Sequence, residues 1–240
     1  MQLTEDARRQ IAAVVLGVAA LGLGLVIREV AKTQRPPAHV DEPYAPTPSA
    51  APIVSLGYRE LLADLLFVRF AGYVGGGEST TNGTAALVEA IAAVDPAYPK
   101  IYESGGLAIS RLGADNDAHM RAIALLEQGS QRDPSNWKLP YLAGQIYMLD
   151  LTTTDPATRR QWDERGALLL ETAVRKPGAP SDAAATAATL RTRLGQRERA
   201  AEGLREMLLI TTDDAARGRL LKKLAALELA VADALAGELF

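Results

Sequence analysis

The side chains able to do chemistry in this sequence are few and far apart. Its two histidines are His39 and His119, and it has no cysteine. Thiolate zinc sites, iron–sulfur clusters, disulfides and a cysteine-borne lipid are therefore absent, and a nucleophilic triad or metal site would have to be assembled almost wholly from carboxylates. The acidic pairs Asp115/Asp117 and Asp213–Asp214 stand at expected helix starts. There a carboxylate accepts backbone N–H groups and meets the positive end of the helix dipole, so capping is their expected work. Gly75 to Gly83, GGGESTTNG, offers glycines that would let backbone amides approach a phosphate. It lacks the Lys-Ser/Thr ending of a phosphate-binding loop and follows no strand, and is read as an interhelical loop. The expectation is a chain without catalytic residues, cofactor or bound metal.

The remaining candidates are for binding. Aromatic side chains on a helical surface serve as anchors for a bound segment. Trp162, set among Arg159, Arg160, Gln161, Asp163, Glu164 and Arg165, is expected to be exposed and is the stronger candidate, with Arg159 and Arg160 beside it. Trp137 and Tyr141 are the second pair, with packing between hairpins as the competing role for Trp137.

These residues need elements to hold them. Ile11 to Ile27, IAAVVLGVAALGLGLVI, is a run of seventeen uncharged residues between Arg8–Arg9 and Arg28. At about 1.5 Å per residue it sits at the short end of what spans a hydrocarbon core of about 30 Å. It is read as a single uncleaved transmembrane anchor after a short tail, residues 1–10, since the charges after Ile27 make a poor signal-peptidase site. Ala13, Gly17, Ala20 and Gly24 lie on one seam of that helix, where another membrane helix could pack. The basic residues flanking the run nearly balance, so the positive-inside rule decides no orientation. The expectation adopted is a bacterial inner-membrane protein with an extracytoplasmic body.

Residues 28–54 are read as a tether. Arg35 to Pro52 contains six prolines in eighteen residues, and proline cannot continue a helix, so an extended spacer of about 3.1 Å per residue is expected. The body, residues 55–240, opens with Leu56 to Val74, LGYRELLADLLFVRFAGYV. Its charges would be costly at membrane depth, so it is expected as the first helix of the body. Apolar residues spread round its circumference predict cover on more than one side, part of it from the membrane surface or a partner.

From Thr84 onward the chain repeats. Asp95–Pro96, Asp133–Pro134 and Lys176–Pro177 close successive units 38 and 43 residues apart, and Thr212–Asp213 closes another. A period of this size with helical content points to stacked helical hairpins. Small residues recur where paired helices must cross: Gly105–Gly106, Gly129, Gly144, Ala187–Ala188 and Ala200. The composition, 48% hydrophobic and 5% aromatic, rich in Ala and Leu, agrees with an all-α class.

Leu190 to Leu208, LRTRLGQRERAAEGLREML, resembles the tetratricopeptide repeat pattern, with Leu-Gly at the hairpin turn and the small residue of the second helix at Ala200. Arg121 to Tyr147 is similar to a junction between two such repeats, with its closing proline and the aromatic entry Trp137. The resemblance implies an α-solenoid of three to four hairpins that binds a protein partner. The units run longer than the family's usual length, and Leu151 to Glu164 reads as an insertion. Asp214 to Leu235 is expected to close the stack, with a partner or self contact as the alternative.

Charge narrows the partner. Residues 1–40 hold five basic and three acidic side chains, leaving 21 basic against 26 acidic beyond them. An acidic body without a basic run excludes a nucleic-acid surface. The functional expectation is a membrane-anchored protein-interaction scaffold or assembly factor in a cell-envelope complex. The alternative is an accessory subunit of a larger membrane machine of secretion, pilus, transport or respiratory type.

Overall fold

The computed structural model of the protein describes residues 43–77 and 79–238. The proposed anchor, with Ala13, Gly17, Ala20 and Gly24, lies outside the described residues. Among the described residues no helix is long and apolar enough to cross a membrane.

Those residues form ten helices and no strand: α1 Ala51–Val54, α2 Arg59–Gly75, α3 Thr81–Val94, α4 Pro99–Leu112, α5 Asn116–Arg132, α6 Lys138–Leu149, α7 Pro156–Val174, α8 Ser181–Arg193, α9 Arg197–Ile210 and α10 Asp214–Glu238. From α2 onward each helix packs on the next. Helices α4 and α6, and α8 and α10, also touch across the helix between them. This is α-solenoid-like packing, in which the pairs α2/α3, α4/α5, α6/α7 and α8/α9 stack in order and α10 lies on α9 and α8.

The boundaries follow local chemistry. Thr80, Asp115 and Asp155 each accept a backbone N–H from the first turn of α3, α5 and α7, and Asp213 accepts from Ala216 N at 2.7 Å. The capping expected of Asp115 and Asp213 is therefore present. Asp115 receives Ala118 N at 2.8 Å, and Asp115→Ala is expected to lower stability by about 1 kcal/mol in urea unfolding.

Small residues set how closely helices cross. A methyl group added at Gly105 would stand 2.7 Å from Val88 Cγ1, one at Gly106 2.7 Å from Leu126 Cγ, and one at Gly129 2.5 Å from Tyr102 Cβ. Ala122, Ala187, Ala188 and Ala200 are buried. The core these contacts enclose runs through the stack, from Phe70, Leu87 and Ile91 through Ile101, Leu126 and Leu139 to Leu170 and Leu190, and on to Leu204 and Leu220.

One expectation needs correction here. Of the predicted tether, the part from Thr47 to Val54 turns into a short helix rather than running extended. The Thr47 carbonyl accepts Ala50 N and Ala51 N, α1 follows, Ala51 is fully buried, and Ala45 lies on the core. Pro52 sits in the first turn of α1, where its missing N–H leaves nothing unsatisfied. Helix α2 is covered on one face only: Ala63, Leu66 and Phe70 are buried, while Tyr58, Leu61, Leu65 and Val68 are exposed. The apolar residues that circle α2 form two opposed faces, and the body supplies cover for one.

Candidate functional site

The first helices of the hairpins share a polar face. Lys138 at the start of α6 reaches Glu103 of α4 at 3.1 Å. On α10, Arg219 Nε lies 3.5 Å from Asp182 of α8, and Lys223 Nζ donates to Thr189 Oγ1 at 2.5 Å. Burial lowers the Lys223 ammonium below its ordinary value, since charge is disfavoured where water is displaced.

At the middle of this face, α6 presents Trp137, Tyr141 and Gln145, four residues apart and hence one above another. The Trp137 and Tyr141 rings meet edge to face with centroids 5.6 Å apart, and Gln145 Nε2 donates to Tyr141 Oη at 2.8 Å. All three are half-buried, and Tyr141 also packs against the Ala167, Leu170, Ala187 and Leu190 cluster, leaving its outer edge and Trp137 as the accessible part. Burial raises the Tyr141 phenol, and the charge of nearby Asp182 raises it further. Trp137 stands over the turn after α7, where Gly178 adopts φ +76°. Lys176 Nζ, 3.4 Å from both the Asn136 carbonyl and Ser130 Oγ, ties that turn to the one before α6. The stack thus positions an aromatic pair, an amide and charges of both signs on one surface. Such a surface can grip an apolar side chain of a bound segment and satisfy its polar neighbours.

The other three candidates are placed elsewhere. Trp162 is half-buried and packed against the core, with the Arg159 guanidinium 5.6 Å from its ring centre. The expectation that it would be the exposed aromatic is corrected. Trp162 belongs to a 19-residue helix, and the polar residues around it in sequence mark the other sides of that helix. Arg159 is engaged too. Its Nη1 donates to the Leu151 carbonyl at 3.1 Å, its Nη2 to the Tyr147 carbonyl at 2.5 Å, and Nη2 lies 2.6 Å from Asp163 Oδ1. It holds the segment between α6 and α7 against α7. Arg160 is exposed and borders a shallow recess with Arg193.

Two polar arrangements escaped the sequence reading. The second helices of successive hairpins are linked by a repeated rung, Arg121–Glu89 at 2.7 Å, Arg165–Glu127 at 3.0 Å and Arg199–Glu171 at 3.0 Å. In each, an arginine reaches back to a glutamate one unit earlier. The signal was the recurrence of these pairs at roughly the repeat period, hidden by the unequal unit lengths.

The other is Arg191, 1% exposed. Its Nε and Nη2 donate to the two Glu171 oxygens at 2.6 and 2.9 Å, and its Nη1 donates to Gln196 Oε1 at 2.8 Å. Burial pushes the Glu171 carboxyl up, but the hydrogen bonds and charge of Arg191, with those of Arg199, outweigh it and hold Glu171 below its ordinary value. A recess of about 100 Å³ opens beside this network between α7, α8 and α9. Every one of these groups is occupied in holding the third hairpin to the fourth.

No protein-family model matches this sequence, and no curated protein matches it either.

Proposed function

We propose that this protein is a membrane-anchored scaffold of the tetratricopeptide type, which binds a protein partner through the face formed by α4, α6, α8 and α10. The observation that carries this reading is the Trp137–Tyr141–Gln145 stripe, half-buried on that face with Asp182 near Tyr141 and Arg219 beside Asp182. A rigid aromatic pair ringed by polar groups has the composition of a binding hot spot. The apolar run Ile11–Ile27 supports confinement at a membrane, with the body acting as an assembly platform in a cell envelope. Helix α10 fits the role of a cap: Ala216, Leu220, Leu224 and Leu227 are buried on the stack, so this face is taken up by folding. The family assignment rests on the Leu194–Gly195 turn, with Gly195 at φ +76°, and on the buried Ala200 that follows it.

The test is capture of partners by the full-length protein from its native membrane in mild detergent, comparing wild type with Trp137→Ala/Tyr141→Ala. Loss of two aromatic anchors is expected to weaken the captured complex at least about thirtyfold, the equivalent of a single hot-spot cost near 2 kcal/mol. Circular dichroism should show the helices intact. Undiminished capture by the double variant would remove this face from the binding role.

A further inference from the structure

The outer face of α2 has an order that the fold of one chain does not use. Tyr58, Leu61, Leu65, Val68, Gly72 and Gly75 follow one another at intervals of three and four, a heptad stripe running the length of the helix. Tyr58, Leu61, Leu65 and Val68 are 57–71% exposed. Methyl groups added at Gly72 or Gly75 would meet nothing within 4 Å, so the stripe narrows at its C-terminal end to a strip of open backbone. The buried residues Ala63 and Phe70 stand at the heptad position diametrically opposite.

The chain leads into this stripe through a strained residue. Leu56 has φ +48° and is 83% exposed. A leucine enters the left-handed region only at a cost, and among the described residues little covers the side chain held there.

The charges beside the stripe choose the occupant. With Tyr58 and Leu65 at a positions and Leu61 and Val68 at d, Asp64 falls at g and Arg69 at e. In a parallel pair of helices, each g residue faces the e residue five positions later on its neighbour. Two copies of α2 side by side and parallel would therefore set each Asp64 against the other's Arg69, twice. Reversing one helix with the stripes fully overlapped, Leu61 against Gly72, would set Asp64 beside Ala71 and Arg69 beside Leu62 and so forfeit both pairs. Both side chains are exposed, and neither takes part in an ion pair among the described residues; within its own chain Asp64 lies by the Tyr98 phenol, which burial and then the Asp64 charge raise.

We infer that the outer face of α2 is a self-association surface, on which a second copy of this chain docks α2 in parallel along the Tyr58–Gly75 stripe with reciprocal Asp64–Arg69 pairs. This goes beyond the scaffold reading and does not depend on what the α4–α6–α8–α10 face binds. A stripe this short makes a weak dimer, one that is responsive to local concentration.

The native chain has no cysteine, so single-cysteine variants of the full-length protein report cleanly. In mild detergent, Leu61→Cys and Gly72→Cys are each expected to form disulfide-linked dimers on oxidation, and Arg197→Cys, at an exposed position at the start of α9, is expected not to. Asp64→Arg should weaken association about tenfold, by removing two attractive pairs and creating two repulsive ones. Asp64→Arg/Arg69→Asp should restore it. Four results would overturn the inference. The first is Leu61→Cys linking only to Gly72→Cys, which means an antiparallel pair. The second is association indifferent to both charge variants. The third is a monomer whose environment-sensitive dye at Leu65→Cys responds only to phosphatidylcholine–phosphatidylglycerol vesicles, which makes the stripe a lipid surface. The fourth is a monomer that retains a different protein cross-linked at Leu65→Cys.

Discussion

Replacing Glu171 by alanine is expected to destabilise the protein by about 3–5 kcal/mol, the usual consequence of stranding a buried charge. Arg191 is 1% exposed, and Glu171 takes two of its hydrogen bonds, at 2.6 and 2.9 Å. Gln196 Oε1 would remain as a neutral acceptor at 2.8 Å, and the exposed Glu164 carboxylate 3.7 Å from Nη1 as a weak ionic partner, which compensates in part. The check is chemical unfolding followed by circular dichroism. A second variant separates the ion pair from the space it fills. Glu171→Leu/Arg191→Met removes both charges together and should recover much of the loss, because a buried ion pair is often no more stabilising than an apolar pair of similar volume. Loss confined to the α8–α10 end, seen as faster amide exchange there than in α4 and α5, would show that this network fastens the last hairpin to the rest.

The same pair sets a pH dependence. The folded-state pKa of Glu171 is depressed from an ordinary value of 4.5. A carboxylate with a depressed folded pKa binds its proton more readily when the chain is unfolded. Its stabilising contribution is therefore complete above about pH 4.5 and is lost as pH falls through the folded value. Wild-type stability should decline in that acid window. In Glu171→Ala the part of the decline that belongs to this group should be gone. An identical acid profile in the two proteins would deny Glu171 the role.

The second large effect is expected at the crossing of α6 and α7. A Cβ placed on Gly144 would lie 2.8 Å from Leu170 Cγ and 3.0 Å from the Gly166 carbonyl oxygen. Leu170 is fully buried, and the carbonyl is part of the neighbouring helix backbone, so neither neighbour has room to retreat. Gly144→Val should cost about 3 kcal/mol by overpacking, after a helix-propensity gain of a few tenths. Gly144→Ala should cost less. Adding Leu170→Ala to it should give less than the sum of the two separate losses, because the smaller side chain frees the space the new methyl needs. A midpoint for Gly144→Val at or above wild type would show that these helices can separate freely. By contrast, Gly203→Ala on α9, where an added Cβ meets nothing within 4 Å, should be neutral to slightly stabilising.

Much of this architecture was readable from residue types along the chain, because it depends on interactions between close neighbours in sequence. The turns at Asp95–Pro96 and Asp133–Pro134, the aspartates that cap α5 and α10, and glycines at regular helical positions all act within a few residues of where they stand. Their period announces an all-α stack of hairpins before any contact is known. The crossing glycines were legible for the same reason: a small residue on an otherwise apolar helix face has few uses except close approach.

What the tertiary structure decided was which face of each helix meets another. Trp162 and Trp137 have comparable polar neighbours, yet the first is turned onto the core and the second onto the α4–α6–α8–α10 face, because helix rotation is fixed by partners far away in sequence. Arg191 carried no mark in the sequence that set it apart from Arg193, two residues on; only the packing of α7, α8 and α9 buries one and leaves the other exposed. Helix α2 makes the same point in reverse. Its apolar circumference predicted cover on more than one side, but a sequence cannot show how many of those sides its own chain will cover. The body of one chain reaches the Ala63–Phe70 side, and the Leu61–Leu65–Val68 side is left to be covered from outside it.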